Sequence, residues 1–174
     1  ATRFAPAFAH LPRPLVAVLV GGSSGSYRLT AETTGRLCDK LADLSRAAGA
    51  GLAVTPSRRT GEANVAVLGH RLAGLPATIW DGAGENPYFG LLGLADALIV
   101  TCDSVSMASE ACATGKPVYV ADLPGGNRKF REFHANLGTE GMTRPFEGKL
   151  ESWKYVPPND TARVAEAVLG RMGV

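Results

Sequence analysis

The chain is poor in cysteine, and it carries no long apolar run and no strong net charge of either sign. Three cysteines stand among its 174 residues, at positions 38, 102 and 112, and they form no C-x-x-C pair. This usage argues against a disulfide scaffold and a cysteine-based zinc site, and it favours a reducing compartment such as the cytoplasm. No apolar run approaches the roughly 18 residues of a membrane-spanning helix, so no transmembrane segment is expected. The formal net charge of +2 does not indicate a nucleic-acid partner.

Several nucleotide-binding and hydrolase motifs are also missing. The sequence has no G-x-G-x-x-G, which argues against a classical NAD(P)-binding domain, and it lacks the Lys-Ser/Thr of a P-loop. It has no G-x-S-x-G, which disfavours a serine hydrolase. His10, His70 and His134 are scattered, without the spacing of a catalytic triad or a metal site. We therefore expect neither a bound metal nor a resident cofactor.

Short apolar runs alternate with amphipathic segments along most of the chain. The runs predict strands near 15–20, 51–55, 77–80, 97–101 and 117–121. The amphipathic segments predict helices over 30–48, 60–73, 88–94, 104–114, 129–137 and 161–172. Repeated strand–helix units predict an α/β fold, a Rossmann-like doubly wound parallel sheet of five or six strands. Residues 15–174 would form this domain, and the Ala/Pro-rich residues 1–14 a linker from a missing N-terminal domain.

Polar and glycine residues gather where the first two predicted strands end. Ligands bind beyond the carboxyl ends of the strands in an open parallel sheet. Glycines and serines follow the first strand, and their amides and hydroxyls could hold a phosphate, although a simple tight turn is an equal explanation. The candidates there are Gly22, Ser23, Ser24, Gly25 and Ser26. After the second strand, Arg58 and Arg59 suit a diphosphate, and we rank Arg58 first. The alternative explanation is that at least one of the two is a solvated surface charge.

The third and fourth strand ends carry further candidates. Trp80 could stack a base, although a core tryptophan is the commoner explanation. Asp103 or Ser104 could cap the following helix, and Asp103, Ser106 and Glu110 are spaced to share one helix face. A carboxylate at Glu110 could accept both hydroxyls of a ribose, or it could be an ordinary solvated side chain. We rank Glu110 as the foremost site residue.

Charge is unevenly distributed along the chain. No lysine or arginine occurs between Arg71 and Lys116, although that stretch holds several acidic residues. Basic residues flank it at 58–59 and 128–131. The pattern fits an anion subsite beside an acidic subsite for hydroxyl groups, or simply an uneven use of surface charge.

Three stretches of the sequence carry a family resemblance: 21–25 (GGSSG), 55–60 (TPSRRT) and, most specifically, 103–118 (DSVSMASEACATGKPV). They resemble the ELM family of mitochondrial fission proteins and its bacterial relatives, over about residues 12–145. That family is similar to GT-B glycosyltransferases, which have two Rossmann-like domains and a nucleotide-sugar site in the C-terminal one. The resemblance implies that this chain corresponds to the C-terminal half. Glu110 would then hold the ribose, and 22–26 would face the diphosphate.

The resemblance implies a nucleotide-diphosphate-sugar-binding domain of a glycosyltransferase-like protein. The resemblance also implies that the acceptor-binding N-terminal domain is not part of these 174 residues, so we expect this chain alone to bind the donor without transferring its sugar. The alternative is a non-catalytic interaction module that recruits a protein partner, since plant members are linked to recruiting a dynamin-like protein. The Ala-, Gly- and Arg-rich composition suggests a bacterial source with a GC-rich genome. A cytoplasmic location is expected, with a peripheral place at a membrane left open.

Overall fold

The computed structural model describes residues 2–158, which fold around one sheet of six strands. The strands are β1 (Leu15–Val20), β2 (Gly51–Pro56), β3 (Ala77–Ile79), β4 (Ala97–Thr101), β5 (Val118–Ala121) and β6 (Thr143–Pro145). All neighbouring pairs are parallel, in the order β3-β2-β1-β4-β5-β6. The predicted Rossmann-like doubly wound parallel sheet is confirmed. The sixth strand was not assigned from the sequence, because Thr-Arg-Pro has no apolar run to reveal it.

Helices cover both faces of the sheet. They are α1 (Ala5–Phe8), α2 (Ala31–Ala48), α3 (Glu62–Arg71), α4 (Tyr88–Leu94), α5 (Val105–Cys112) and α6 (Arg128–Thr139). Side chains of α2 and α3 share one buried cluster, and side chains of α1, α4 and α5 share the cluster on the opposite face. The predicted helices are found with bounds shifted by up to two residues, apart from the one over 161–172, which lies outside the described residues.

Strand β1 lies at the centre of the sheet because all six of its side chains are apolar and half of them, the three valines, are β-branched. All six of its residues are buried, as expected for a strand covered on both faces. Val16 pairs with Leu52 of β2 on one side and with Ala97 of β4 on the other. The chain winds outward from β1 in both directions, so β1 and β4 flank the topological switch point. Ligand sites in such sheets lie there, beyond the carboxyl ends of the strands.

The N-terminal residues pack against the domain. A short 3₁₀ helix (Thr2–Phe4) precedes α1, and the side chains of Phe8 and Leu11 are buried. Phe4 lies so close to α4 that a Cβ on Gly90 would stand 2.4 Å from its Cδ2. The Ala/Pro-rich composition predicted a linker, and it gave no sign that Phe8 and Leu11 would be buried against the domain. Whether the segment also joins a further domain stays a prediction.

The three cysteines are buried packing residues. Burial raises the pKa of Cys38 and of Cys112 to about 11, and that of Cys102 to about 12. The thiols therefore stay protonated at neutral pH, which suits small apolar side chains in a core better than nucleophiles.

A buried threonine on β2 provides a stability test. The Thr55 hydroxyl is buried without a hydrogen-bond partner in the described part of the chain, whereas the buried Thr34 hydroxyl has two acceptors for its proton, Thr30 O at 2.9 Å and Asn64 Oδ1 at 3.0 Å. We expect Thr55→Val to leave the free energy of unfolding unchanged or raise it by about 1 kcal/mol, because an unpaired polar group leaves the core. Thr34→Val should lower it by about 1–3 kcal/mol. Urea unfolding measures both, and an equal loss in the two variants would contradict this reasoning.

Candidate functional site

The loops that follow β1, β2 and β4 are tied together by one buried carboxylate, that of Asp103. Its side chain is fully buried, and it accepts hydrogen bonds from Gly22 N at 3.0 Å and Thr101 Oγ1 at 2.6 Å. Its charged partner is Arg59, whose Nη1 lies 2.8 Å from Oδ2 in an ion pair. These contacts join all three loops at the switch point. Asp103 therefore fixes the positions of the loops after β1, β2 and β4 relative to one another.

The structure corrects the predicted alignment of Asp103 with Glu110. The helix α5 begins at Val105, and Ser104 is its N-cap, with its side chain accepting from Met107 N at 3.4 Å. Asp103 thus precedes the helix and turns into the loops, whereas Glu110 is exposed on the second turn. The seven-residue spacing predicted a shared face only on the assumption that both residues were helical.

Two glycines after β1 allow the loops to approach each other closely. A Cβ on Gly22 would stand 1.9 Å from the carbonyl oxygen of Arg59, and one on Gly21 would stand 2.3 Å from both Asp103 carboxylate oxygens. The backbone of Ser23 also donates to Arg59 O, at 3.3 Å. The first two glycines are therefore explained by loop-to-loop packing.

Most backbone amides in the rest of this loop, residues 24–27, donate hydrogen bonds to acceptors within the loop itself. The Ser24 amide donates to Tyr27 O at 3.0 Å, and the amides of Ser26 and Tyr27 both donate to Ser24 Oγ at 3.2 Å. Within 22–26, only the Gly25 amide has no acceptor in the described part of the chain. The loop is a rigid frame, and it does not present the row of free amides that we expected for a phosphate.

The two adjacent arginines after β2 point to different places. Arg59 reaches Asp103, and its side chain remains 42% exposed, so part of the guanidinium faces solvent at the carboxyl edge. Arg58, which we ranked first, lines a cavity between α3 and the end of β3. The tight turn here, in which Thr60 N donates to Ser57 O at 3.0 Å, decides which arginine turns inward. Sequence alone does not distinguish neighbours in such a turn.

Glu110 is held from one side by a tyrosine of the neighbouring helix. The hydroxyl of Tyr88, the first residue of α4, donates to Glu110 Oε2. Burial and this hydrogen bond raise the pKa of Tyr88, so the phenol stays a donor at neutral pH. Glu110 Oε1 has no hydrogen-bond partner within residues 2–158. Tyr88 was not among the predicted site residues; Asn86-Pro87, a helix-start signal just before it, was the available clue.

The first turn of α5 faces the same edge. The amides of Val105 and Ser106 have no acceptor in the described part of the chain, as is usual for the first turn of a helix. Such amides, together with the helix dipole, favour an anion.

The loop after β5 borders the Gly/Ser loop. Tyr27 forms an antiparallel bridge with Gly125, and Gly126 N donates to Ser26 O at 2.6 Å. The exposed Arg128 and Lys129 follow at the start of α6. One predicted basic cluster therefore lies beside the Gly/Ser loop.

Residues 2–158 contain neither a cluster of metal-ligating side chains nor a helix able to span a membrane. No three His, Cys, Asp or Glu side chains there come together in a way that could hold a metal ion. No helix within that part of the chain combines the length and the apolar character that crossing a membrane requires.

Comparison with known proteins identifies a family. The family described as "Mitochondrial fission ELM1" matches residues 1–172. "Mitochondrial fission protein ELM1" of Arabidopsis thaliana is 40% identical over 165 residues, covering 92% of this chain and 38% of that protein. "Uncharacterized protein RP120" of Rickettsia prowazekii is 38% identical over 88 residues, covering 48% of this chain and 25% of that protein. The chain thus spans well under half the length of these relatives.

Among solved structures, the chain is similar to the glycotransferase of kitacinnamycin, at 18% identity and a TM-score of 0.47, over 79% of this chain and 32% of that one. It is also similar to the cypemycin decarboxylase CypD, at 17% identity and a TM-score of 0.45, over 75% of this chain and 81% of that one. The family match and the Arabidopsis relative confirm the resemblance drawn from 103–118. Together they show that the chain belongs to the mitochondrial fission ELM1 family.

Proposed function

We propose that this chain is the nucleotide-diphosphate-sugar-binding domain of a glycosyltransferase-like member of the ELM1 family. The observation that carries the proposal is the Glu110 carboxylate, exposed on the helix after β4 and oriented by Tyr88 beside the open first turn of α5. Its helix follows β4, one of the two strands that flank the switch point where sheets of this kind bind ligands.

Glu110 would bind the ribose. Tyr88 occupies one lone pair of Oε2 and fixes the carboxylate, which leaves Oε1 to accept hydroxyl hydrogen bonds. An ionised carboxylate offers about four acceptor positions in total, so two adjacent ribose hydroxyls can bind without displacing Tyr88. Bonds to a charged acceptor are stronger than neutral ones.

The diphosphate would bind between α5 and the loops held by Asp103. The free amides of Val105 and Ser106 supply donors, Ser104 and Ser106 add hydroxyls, and Arg59 supplies the cation in place of Arg58. In the full-length protein, the same groups would stabilise the charge of a departing diphosphate during sugar transfer.

The Gly/Ser loop would contribute fewer groups than its composition suggested. The Gly25 amide has no acceptor among the described residues, and Ser24 Oγ accepts from two amides, which leaves its proton to donate to a phosphate. Ser26 Oγ accepts from Asn127 Nδ2 at 3.0 Å and is similarly able to donate. The backbone of Gly22 and the side chain of Ser23 serve to shape the loop.

An acceptor and a second domain would come from the rest of the protein. Because this chain spans 38% of the Arabidopsis relative, we assign it donor binding and assign acceptor binding to the remainder. A cytoplasmic location, drawn from the cysteine usage, is part of the same proposal.

A thermal-shift screen against UDP-, GDP-, ADP- and CMP-sugars tests donor binding. One nucleotide class should raise the melting temperature of the wild-type protein by an amount that grows with ligand concentration, because binding to the native state stabilises it. Glu110→Ala should remove that shift, whereas Glu140→Ala should keep it, since Glu140 is exposed at the far end of α6. Equal shifts in both variants would contradict the assignment of Glu110.

The alternative, an interaction module that recruits a protein partner, has one observation in its favour. Phe89 is 73% exposed on the first turn of α4, and Val105 is 41% exposed on the first turn of α5. Single exposed apolar residues are common on soluble proteins, so two of them do not make a docking face. We therefore rank donor binding first.

A further inference from the structure

Helix α6 packs on the domain through one apolar face, which fixes its rotation and turns its charged residues outward. The ring of Phe130 meets that of Tyr27 edge to face, with 5.0 Å between the centroids, and Phe133 packs against the buried cluster that holds α5. On the same face, His134 Nε2 lies 2.8 Å from Cys102 O. Apolar positions three and four residues apart share one face of a helix, so the remaining positions of α6 face solvent.

Three exposed cations occupy the first four residues of α6, where they do not stabilise the helix. These are Arg128, Lys129 and Arg131, and the first turn holds no acidic residue. The start of a helix carries partial positive charge, so cations there are unfavourable. Arg128 Nε lies 3.6 Å from Glu132 Oε1, but both side chains are exposed and such a pair contributes little. Neither Lys129 nor Arg131 has an ion pair or a side-chain hydrogen bond within residues 2–158.

A fourth cation joins them from the loop after β1. The Arg28 amide donates to Pro124 O at 2.9 Å, just before α6, and its exposed side chain also has no ion pair or hydrogen bond in the described part of the chain. We call Arg28, Arg128, Lys129 and Arg131 the basic patch. With Glu132 included, its formal charge is +3, more than the +2 of the whole chain. The patch is therefore a local excess of positive charge on a protein that is otherwise slightly negative.

The basic patch suits an extended anionic surface better than a single phosphate. At about 100° of rotation per residue, its three cations on α6 spread over an arc of about 160° and do not converge on one anion. None of the four lines the cavity that contains Arg58 or the one between α2 and the ends of β5 and β6. The aromatic rings of α6 pack on the domain, which keeps them from stacking on nucleic-acid bases. Basic clusters on amphipathic helices are typical of proteins that bind anionic lipids.

We propose that the basic patch docks the protein on an anionic lipid bilayer, with the headgroup phosphates of acidic phospholipids as its ligands. The contact is peripheral and electrostatic, since the apolar face of α6 is already used in packing. The patch adjoins the loop 22–26, so docking places the carboxyl edge of the sheet beside the membrane. None of the four cations is assigned to donor binding, and the proposal does not depend on it.

Co-sedimentation of the whole chain with lipid vesicles tests the proposal. The vesicles are phosphatidylcholine alone, or phosphatidylcholine mixed with phosphatidylglycerol. The protein should bind the mixed vesicles and not the neutral ones, and salt should weaken the binding by screening. Lys129→Glu combined with Arg131→Glu should lower the partition coefficient by more than about twentyfold, because each basic residue near an anionic membrane contributes roughly fivefold.

Lys149→Glu combined with Lys154→Glu is the matched control. Both lysines are exposed on the segment after β6, and the net charge changes by the same amount, so this variant should keep most of the binding. The patch variant should melt at the wild-type temperature or above it, because acidic residues are favourable in the first turn of a helix. Loss of binding would then not reflect unfolding.

Four outcomes would overturn the proposal. The wild type might bind neutral and mixed vesicles equally, or the two double variants might lose the same amount of binding. Inorganic phosphate might displace the protein more strongly than sodium chloride of equal ionic strength, which would indicate a discrete phosphate site. A single-stranded DNA oligonucleotide might bind where vesicles do not, which would indicate a nucleic-acid surface.

Discussion

Gly22→Ala should lower the free energy of unfolding by about 3 kcal/mol, because a methyl group cannot fit where two backbones touch. Its Cβ would stand 1.9 Å from Arg59 O, and this neighbour is backbone that cannot rotate away. Relief requires the loops after β1 and β2 to separate, which also lengthens the hydrogen bond from Gly22 N to Asp103.

Gly25→Ala is the matched control in the same loop. A Cβ there has no heavy atom within 4 Å, and the residue does not have a positive φ. Its effect on stability should stay within about 0.5 kcal/mol. Urea unfolding followed by circular dichroism compares the two, and a Gly22→Ala protein as stable as Gly25→Ala would refute the close-packed loop arrangement.

Asp103→Ala should also lower the free energy of unfolding, by about 2–6 kcal/mol. The amide of Gly22 and the hydroxyl of Thr101 would lose their acceptor in a buried place, at about 1–3 kcal/mol for each unsatisfied group. The loss of the ion pair adds less than a fully buried pair would, because the Arg59 side chain is 42% exposed and can be solvated.

Asp43→Ala separates this effect from the general effect of removing an aspartate. Asp43 is 76% exposed and lies 3.8 Å from Arg46 Nη1 in the same helix, so its loss should cost no more than about 0.5 kcal/mol. Chemical denaturation of both variants gives the comparison. If Asp103→Ala proved as stable as Asp43→Ala, Asp103 would not be the residue that ties the three loops together.

Much of the fold was predictable because burial leaves a pattern in the sequence. The continuous apolar run at 15–20 predicted a strand covered on both faces, and β1 is fully buried. The alternation of such runs with amphipathic segments then restricted the architecture to a parallel sheet. Glu110 could be placed on the helix after β4 by the same reasoning, and it lies there, exposed.

What could not be predicted depends on side-chain direction and on distant contacts. Asp103 was expected beside Glu110, but Ser104 caps the helix and leaves Asp103 free to turn inward. Arg58 and Arg59 are chemically identical neighbours, and only the folded turn decides which one meets Asp103. The contact of Tyr88 with Glu110 joins residues 22 positions apart, on two helices whose packing no local pattern reveals.

Isothermal titration of the protein with the nucleotide sugar selected by the thermal-shift screen tests donor binding at Glu110 most directly. Glu110→Ala should weaken the affinity by roughly tenfold to a hundredfold, with Glu110→Gln in between, since each hydroxyl bond to a charged acceptor contributes about 1.5–3 kcal/mol. Glu140→Ala should bind with the affinity of the wild type. The free energy of unfolding of every variant should stay within about 1 kcal/mol of the wild-type value. Donor binding at this site would be contradicted if Glu110→Ala kept the wild-type affinity, whether or not its stability fell.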